Sequence, residues 1–227
     1  MLSFTLGPPS TRDRHTILML GAHCDDIEIG CGGTLLALAE HYAEARFEWL
    51  TLSATSEREA ETRAAAQRFL AGAREVVVRV ERFRGSYFPS DYAAIKDCFE
   101  ELKERVQPDL ILTHQRADLH QDHRIVNELT WNTFRNHLIL EYEIPKYDGD
   151  LGAPNAFVPL SRAQMQRKCD ILLECFPSQR ARAWFTRDTF EAIARLRGVE
   201  SNAPEGHAEA FYLRKAPLAL DRGLSSR

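Results

Sequence analysis

Two short segments of this chain concentrate the side chains that bind metals or move protons. Residues 21–34 read G-A-H-C-D-D-I-E-I-G-C-G-G-T and bring His23, Asp25, Asp26 and Glu28 together; residues 113–123 read T-H-Q-R-A-D-L-H-Q-D-H, with three histidines and two aspartates. Neutral imidazoles with a carboxylate make a zinc site, and a catalytic zinc keeps three protein ligands and an open fourth position. His23, Asp26 and His123 supply such a set. Asp25, adjacent but not needed as a ligand, suits a general base for water. Asp122 beside His120 would fix the tautomer of that imidazole and favour its protonated form, which makes His120 a proton donor.

Simpler uses of the same residues compete with this reading. A lone H-x-x-D is more often a turn or helix cap than a ligand pair, and Asp25 and Asp26 could do no more than cap the helix that follows. What favours chemistry is the coincidence of two His/Asp clusters. Gly30, Gly32 and Gly33 fall short of the dinucleotide fingerprint G-x-G-x-x-G, because Leu35 stands where its third glycine belongs. Their expected role is to let a turn pass close to the first helix. Cys24 and Cys31 lie in the first segment; either could be a soft metal ligand or a reactive thiol, but with no third cysteine near in sequence they read as small packing residues.

The elements that must position these clusters alternate between short Val/Ile/Leu-rich runs and longer stretches of helical period. Strands are predicted at 16–22, 47–54, 75–80, 109–113, 138–142 and about 208–213. Helices are predicted from near Gly32, over 56–71 with Ser56 as cap and Glu59 three residues on, over 92–106, from His123 to about 137, and over about 161–175 and 187–196. Residues 144–159, with three prolines and two glycines, read as a long functional loop. Strands separated by helices require right-handed crossovers, hence a three-layer α/β fold with a mostly parallel central sheet. In such a sheet all strand carboxyl ends share one edge, and ligand crevices open where the strand order reverses. Both clusters follow strand ends, so they are expected to face one crevice.

Composition narrows the function classes. The 227 residues suit one domain over 1–227, and 44% hydrophobic with 27% charged residues is ordinary globular usage. A formal net charge of −4 removes the bulk electrostatic case for nucleic acid as partner. No apolar run reaches the length of a membrane helix, so no integral membrane segment is expected. The first 16 residues include Pro8, Pro9, Arg12, Asp13 and Arg14 and no apolar leader core, which predicts a cytoplasmic location. Five cysteines without a C-x-x-C pair predict reduced thiols.

At Ala22-His23-Cys24-Asp25-Asp26, followed by Gly30-Cys31-Gly32-Gly33 and later by His120-Gln121-Asp122-His123, the sequence resembles the PIG-L/LmbE-like family of zinc-dependent de-N-acetylases. That family's hallmark is A-H-P-D-D with a glycine-rich stretch and a later H-x-D-H. The resemblance implies a Rossmann-like sandwich and removal of the N-acetyl group, as acetate, from an N-acetylglucosamine-type amino sugar or its conjugate. It implies His23, Asp26 and His123 as ligands of zinc or another divalent transition metal. Asp25 would be the base, His120 the acid and oxyanion stabiliser, and Asp122 the residue that orients His120. A substrate-holding arginine of the family matches Arg58 best, with Arg63 close by. Cys24 replaces the family's proline, which removes no ligand but bears on metal identity. Two alternatives stand beside this reading: a zinc amidase or esterase acting on a non-sugar substrate, and a non-catalytic metal- or sugar-binding module. A pure binder would need neither Asp25 nor His120. A nucleotide-binding protein ranks third.

Overall fold

The computed structural model describes residues 5–7, 9 and 14–217; residues 1–4, 8, 10–13 and 218–227 lie outside them. The chain runs β1 (Thr16–His23), α1 (Asp26–His41), β2 (Arg46–Ser53), α2 (Ser56–Phe69), β3 (Glu75–Val80), α3 (Tyr92–Arg105), β4 (Leu110–His114), α4 (Gln121–Thr133) and β5 (Leu138–Tyr142). It continues with β6 (Ala156–Leu160), α5 (Arg162–Cys175), α6 (Arg187–Ser201) and β7 (His207–Tyr212). These strands form one seven-stranded sheet in the order β3-β2-β1-β4-β5-β7-β6. The pairs from β3 to β5 are parallel; β7 runs antiparallel to β5 and β6. The fold is therefore α/β with a mostly parallel sheet, as the sequence predicts.

Alternation along β1 builds the two cores. Ile17 and Met19 face one side with α1, α2, α5 and α6, whereas Leu18, Leu20 and Ala22 face the other with α3 and α4. Burial on both faces explains why β1 is apolar almost throughout rather than alternating. The strand order reverses between β1 and β4, so the segments after these two strands open onto the same crevice. Among the described residues no helix is long and apolar enough to cross a membrane.

Three local expectations need correction. Helical structure begins already at Asp26 and, after a break at Cys31, resumes at Gly32 where the first helix is expected, so the glycines flank the break and make close packing instead of a turn. A Cβ on Gly30 would stand 2.3 Å from the Tyr142 ring, and one on Gly33 would stand 2.4 Å from Leu160. The cap of α2 is Thr55, whose hydroxyl accepts the Arg58 N–H at 3.3 Å, rather than Ser56. Residues 144–159 are not all loop, because their end forms β6 at the sheet edge. Pro159 is tolerated there, since an edge strand has one side with no ladder to supply.

The helix α1 is interrupted at Cys31, which has φ −143° and ψ 16°. Such a break deprives the next amides of helical acceptors. The Glu209 carboxylate of β7 takes the Gly33 and Thr34 N–H groups at 2.8 and 2.6 Å. Lys168 of α5, itself buried, donates to Glu209 and to the Ile29 carbonyl, both at 2.6 Å. Glu209→Ala would strand a buried ammonium and two amides, and loss of one partner of a buried pair costs about 3–5 kcal/mol. Urea unfolding should show a loss of that size; a change below about 1 kcal/mol would mean that the clamp is dispensable.

Candidate metal and catalytic site

The end of β1 turns sharply into α1 at Asp25, which has φ 101° and ψ −21°. A left-handed backbone is uncommon outside glycine, asparagine and aspartate. Its effect is to place His23, Asp25 and Asp26 at the mouth of the crevice. From the β4 side, His120 caps α4, and Asp122 and His123 occupy the first turn of that helix. His23, Asp25, Asp26, His120, His123 and Arg58 all line one cavity of about 610 Å3, within the size range of small-molecule sites.

Three predicted ligands form a compact triangle. His23 Nδ1 lies 3.3 Å from His123 Nε2, and the two Asp26 oxygens lie 3.5 Å from the former and 3.4 Å from the latter. Metal bonds of about 2.1 Å in tetrahedral geometry put neighbouring ligand atoms about 3.4 Å apart, the separation of the two imidazole nitrogens, while Asp26 turns one oxygen to each ring. Each imidazole is fixed by a carboxylate on its other nitrogen. His23 Nε2 donates to Asp122 at 2.9 Å, leaving Nδ1 for a metal; His123 Nδ1 donates to Asp118 at 2.9 Å, leaving Nε2. Carboxylate–histidine–metal relays of this kind set tautomer and ring orientation.

Five donors meet at this place in two overlapping clusters, His23/His120/His123 and Asp26/His114/His123. Position separates them. His114 is fully buried, does not line the cavity, and lies 3.2 Å behind Asp26 Oδ2, where its Nε2 also accepts the Ala22 N–H at 3.1 Å. It packs behind Asp26 on the sheet side, away from the cavity. Sequence reasoning assigned nothing to His114 or Asp118. The signal for Asp118 was present in the five-residue spacing to His123, but only the fold of residues 114–120 turns that spacing into a contact.

The expected partnership of Asp122 and His120 is corrected. The Asp122 carboxylate is taken by His23 and by the backbone amides of Ser86 and Phe88, at 2.5 and 3.2 Å, so it cannot serve His120. His120 instead accepts the Asp122 N–H on Nδ1 at 3.2 Å. Acceptance at Nδ1 puts the remaining proton on Nε2. Burial, with the positive fields of His123 and His23, holds the His120 pKa below its ordinary value, so the ring is a neutral donor rather than an imidazolium.

Charge at the floor is strongly uneven. Burial opposes protonation of His23, yet hydrogen bonds to Asp122 and Asp26 push its pKa up to about 10: this is a place that attracts positive charge. Burial also opposes ionisation of Asp26, but His123 and His114 hold its carboxyl well below the usual range. Asp25 goes the other way, raised by burial to about 6 despite Arg58, whose guanidinium lies 2.9 Å from its Oδ2 and also donates to the Cys24 carbonyl. Arg58 thus anchors the elbow as well as lining the cavity, while Arg63 pairs with Glu59 on the exposed side of α2. The Cys24 thiol is buried and pushed up to about 12 by that burial, which keeps it protonated.

Residues 18–134, from β1 through α4 and including both His/Asp segments, match the family described as PIG-L, GlcNAc-PI de-N-acetylase. The chain belongs to the PIG-L family. Among curated proteins nothing matches it. Solved structures share the fold of this PIG-L protein over nearly its whole length. The 4-carboxy-2-hydroxymuconate hydratase of Pseudomonas putida superposes with a TM-score of 0.74 at 16% identity, covering 92% of this chain and 99% of that one. The N,N'-diacetylchitobiose deacetylase of Pyrococcus horikoshii gives 0.64 at 20%, covering 92% and 87%. A teicoplanin deacetylase in a zinc-inhibited form gives 0.67 at 15%, covering 87% and 97%.

Proposed function

We propose that this PIG-L protein is a zinc-dependent de-N-acetylase that releases acetate from an N-acetylglucosamine-type amino sugar or its conjugate. The observation that carries the proposal is the triangle of His23, Asp26 and His123 with Asp25 beside it on the same cavity. Family membership and the named deacetylases among its structural relatives support the same reading. His23, Asp26 and His123 would hold the ion, which when bound polarises the amide carbonyl and acidifies water. The rest falls to the protein's own groups. Asp25 takes a proton from the attacking water as the C–O bond forms, and the amide carbon becomes tetrahedral. The Nε2–H of His120 donates to the developing oxyanion. The C–N bond then breaks as Asp25 returns its proton to the departing nitrogen, giving acetate and a free amine.

Arg58 plays two parts in this account: it holds Asp25 in place, and it offers its remaining donors to the sugar. The reading takes the chain 1–227 as one domain; in its support, β6, β7, α5 and α6 complete the same sheet and core as the segment 18–134. All five cysteines are unpaired, in keeping with a reducing, cytoplasmic setting. The test is acetate release from a panel of N-acetylated amino sugars by zinc-loaded protein, alongside acetyl esters, non-sugar acetamides and an unsaturated hydroxy-dicarboxylate. Acetate from the sugars alone is expected. Turnover confined to the esters or to water addition would overturn the proposal.

A further inference from the structure

The relay behind His123 does not end at Asp118. Lys146, in the segment after β5, lines the cavity, yet its side chain is only 9% exposed. Its ammonium lies 3.1 Å from Asp118 Oδ2, the same oxygen that accepts His123 Nδ1–H at 2.9 Å. It also pairs with Asp150, whose side chain is buried. Residues 146 and 150 are four apart outside any helix, and Gly149, with a left-handed φ of 64°, folds the segment so that both reach this point. Among the described residues no other lysine or arginine lies at ion-pair distance from either carboxylate.

Hydrogen bonds run from these two acids to the segment that leads into α4. Asp118 Oδ1 accepts the His120 N–H at 2.8 Å. Asp150 Oδ2 accepts the Leu119 N–H at 2.7 Å, and the Asp150 carbonyl accepts from Gln115 Nε2 at 3.2 Å. One buried ammonium therefore stands behind both the metal relay of His123 and the backbone that presents His120. A carboxylate raises the ligand strength of the imidazole it holds. An ammonium on the same oxygen draws that charge towards itself, so Asp118 pulls less on the His123 proton than it would alone.

We propose that Lys146 is a positioning residue of the deacetylase site: shared by Asp118 and Asp150, it restrains the ligand strength of His123 and fixes the segment that carries His120. The proposal rests on the deacetylase reading and on His123 as a ligand. It fixes the sign of an effect. If Lys146 served only to hold the fold together, its removal would loosen the site and weaken zinc. Acting through Asp118, its removal frees that carboxylate for His123, so zinc binds more tightly while turnover falls.

The test is zinc competition with a chromophoric chelator on metal-free full-length protein and its variants, with kcat and KM for methyl N-acetylglucosaminide measured on the zinc-loaded forms. Lys146→Met should bind zinc about 3- to 10-fold more tightly, the converse of losing an outer carboxylate, and should lower kcat about 10-fold with KM within about twofold. Lys146→Gln, which keeps a donor without the charge, should tighten zinc in the same direction, and it carries the comparison if the methionine variant does not fold. Lys146→Arg should restore both quantities, because a guanidinium keeps the charge and can serve two carboxylates. In an Asp118→Asn background Lys146→Met should no longer tighten zinc, since the two residues act through one oxygen. Metal-free Lys146→Met should melt lower, with two buried carboxylates left unpaired, and zinc should raise its melting temperature by more than it raises that of the parent. Weaker or unchanged zinc binding by the Met and Gln variants, or tightening that persists in the Asp118→Asn background, would overturn the proposal and leave the deacetylase reading intact. A parent that binds zinc but releases no acetate would overturn that reading, with the zinc measurements still deciding what Lys146 does to His123. A parent that binds no zinc would overturn both.

Discussion

Replacing Asp25 by asparagine should leave one metal per chain and lower acetate release by about 10²- to 10⁴-fold, the usual worth of a positioned general base. Asp25 lines the cavity but stands outside the triangle of donors, and its carboxylate is held by Arg58. Asparagine keeps the shape and accepts a left-handed backbone nearly as well as aspartate, so the elbow at φ 101° survives. Alanine would confound the result by straining the turn. The loss corresponds to about 2.7–5.5 kcal/mol of transition-state stabilisation, and it should fall on kcat. Metal content and acetate release are to be measured on the same preparation. If zinc disappears along with turnover, Asp25 belongs with the ligands and the base must be sought elsewhere.

Much of this arrangement is legible in the sequence because parallel β-α-β order forces strand ends onto one edge. The segments after β1 and β4 lie about 90 positions apart in sequence, yet strand adjacency at the reversal point brings His23 and His123 into contact. What is not legible is the partner of each polar group. Asp122 sits two residues from His120 in sequence, but on the first turn of α4 its carboxylate swings towards β1 and the loop at Ser86, and only its amide serves His120. Local spacing predicts neighbours; the helix N-terminus decides which way they face. Similarly, Gly30 and Gly33 look like turn formers until Tyr142 and Leu160, from strands more than a hundred residues away, press against them. Glu209 has no local signature at all, because its purpose is set by a helix break at Cys31 on the far side of the chain.

The partition of five donors into ligands and supports leads to the other large effect. Asp26→Ala should bring zinc from about one per chain to near none after dialysis against a weak chelator, whereas Asp118→Asn should keep zinc with affinity reduced about 10- to 100-fold. The difference follows from position: Asp26 supplies the only carboxylate of the triangle, and Asp118 acts on the metal through the ring of His123. Removing Asp26 also strands the His23 N–H, which it accepts at 2.7 Å, so the metal-free variant should melt somewhat lower than the metal-free parent. The sharper readout is the zinc-induced shift. A ligand at a hundred times its Kd stabilises by about 2.7 kcal/mol, and that increment should vanish in Asp26→Ala and persist at higher zinc in Asp118→Asn. Retention of tight zinc by Asp26→Ala would instead assign the metal to the other cluster, His23 with His120 and His123. His120 would then have no free role as donor to the oxyanion, and the division of labour at the cavity floor would have to be drawn again.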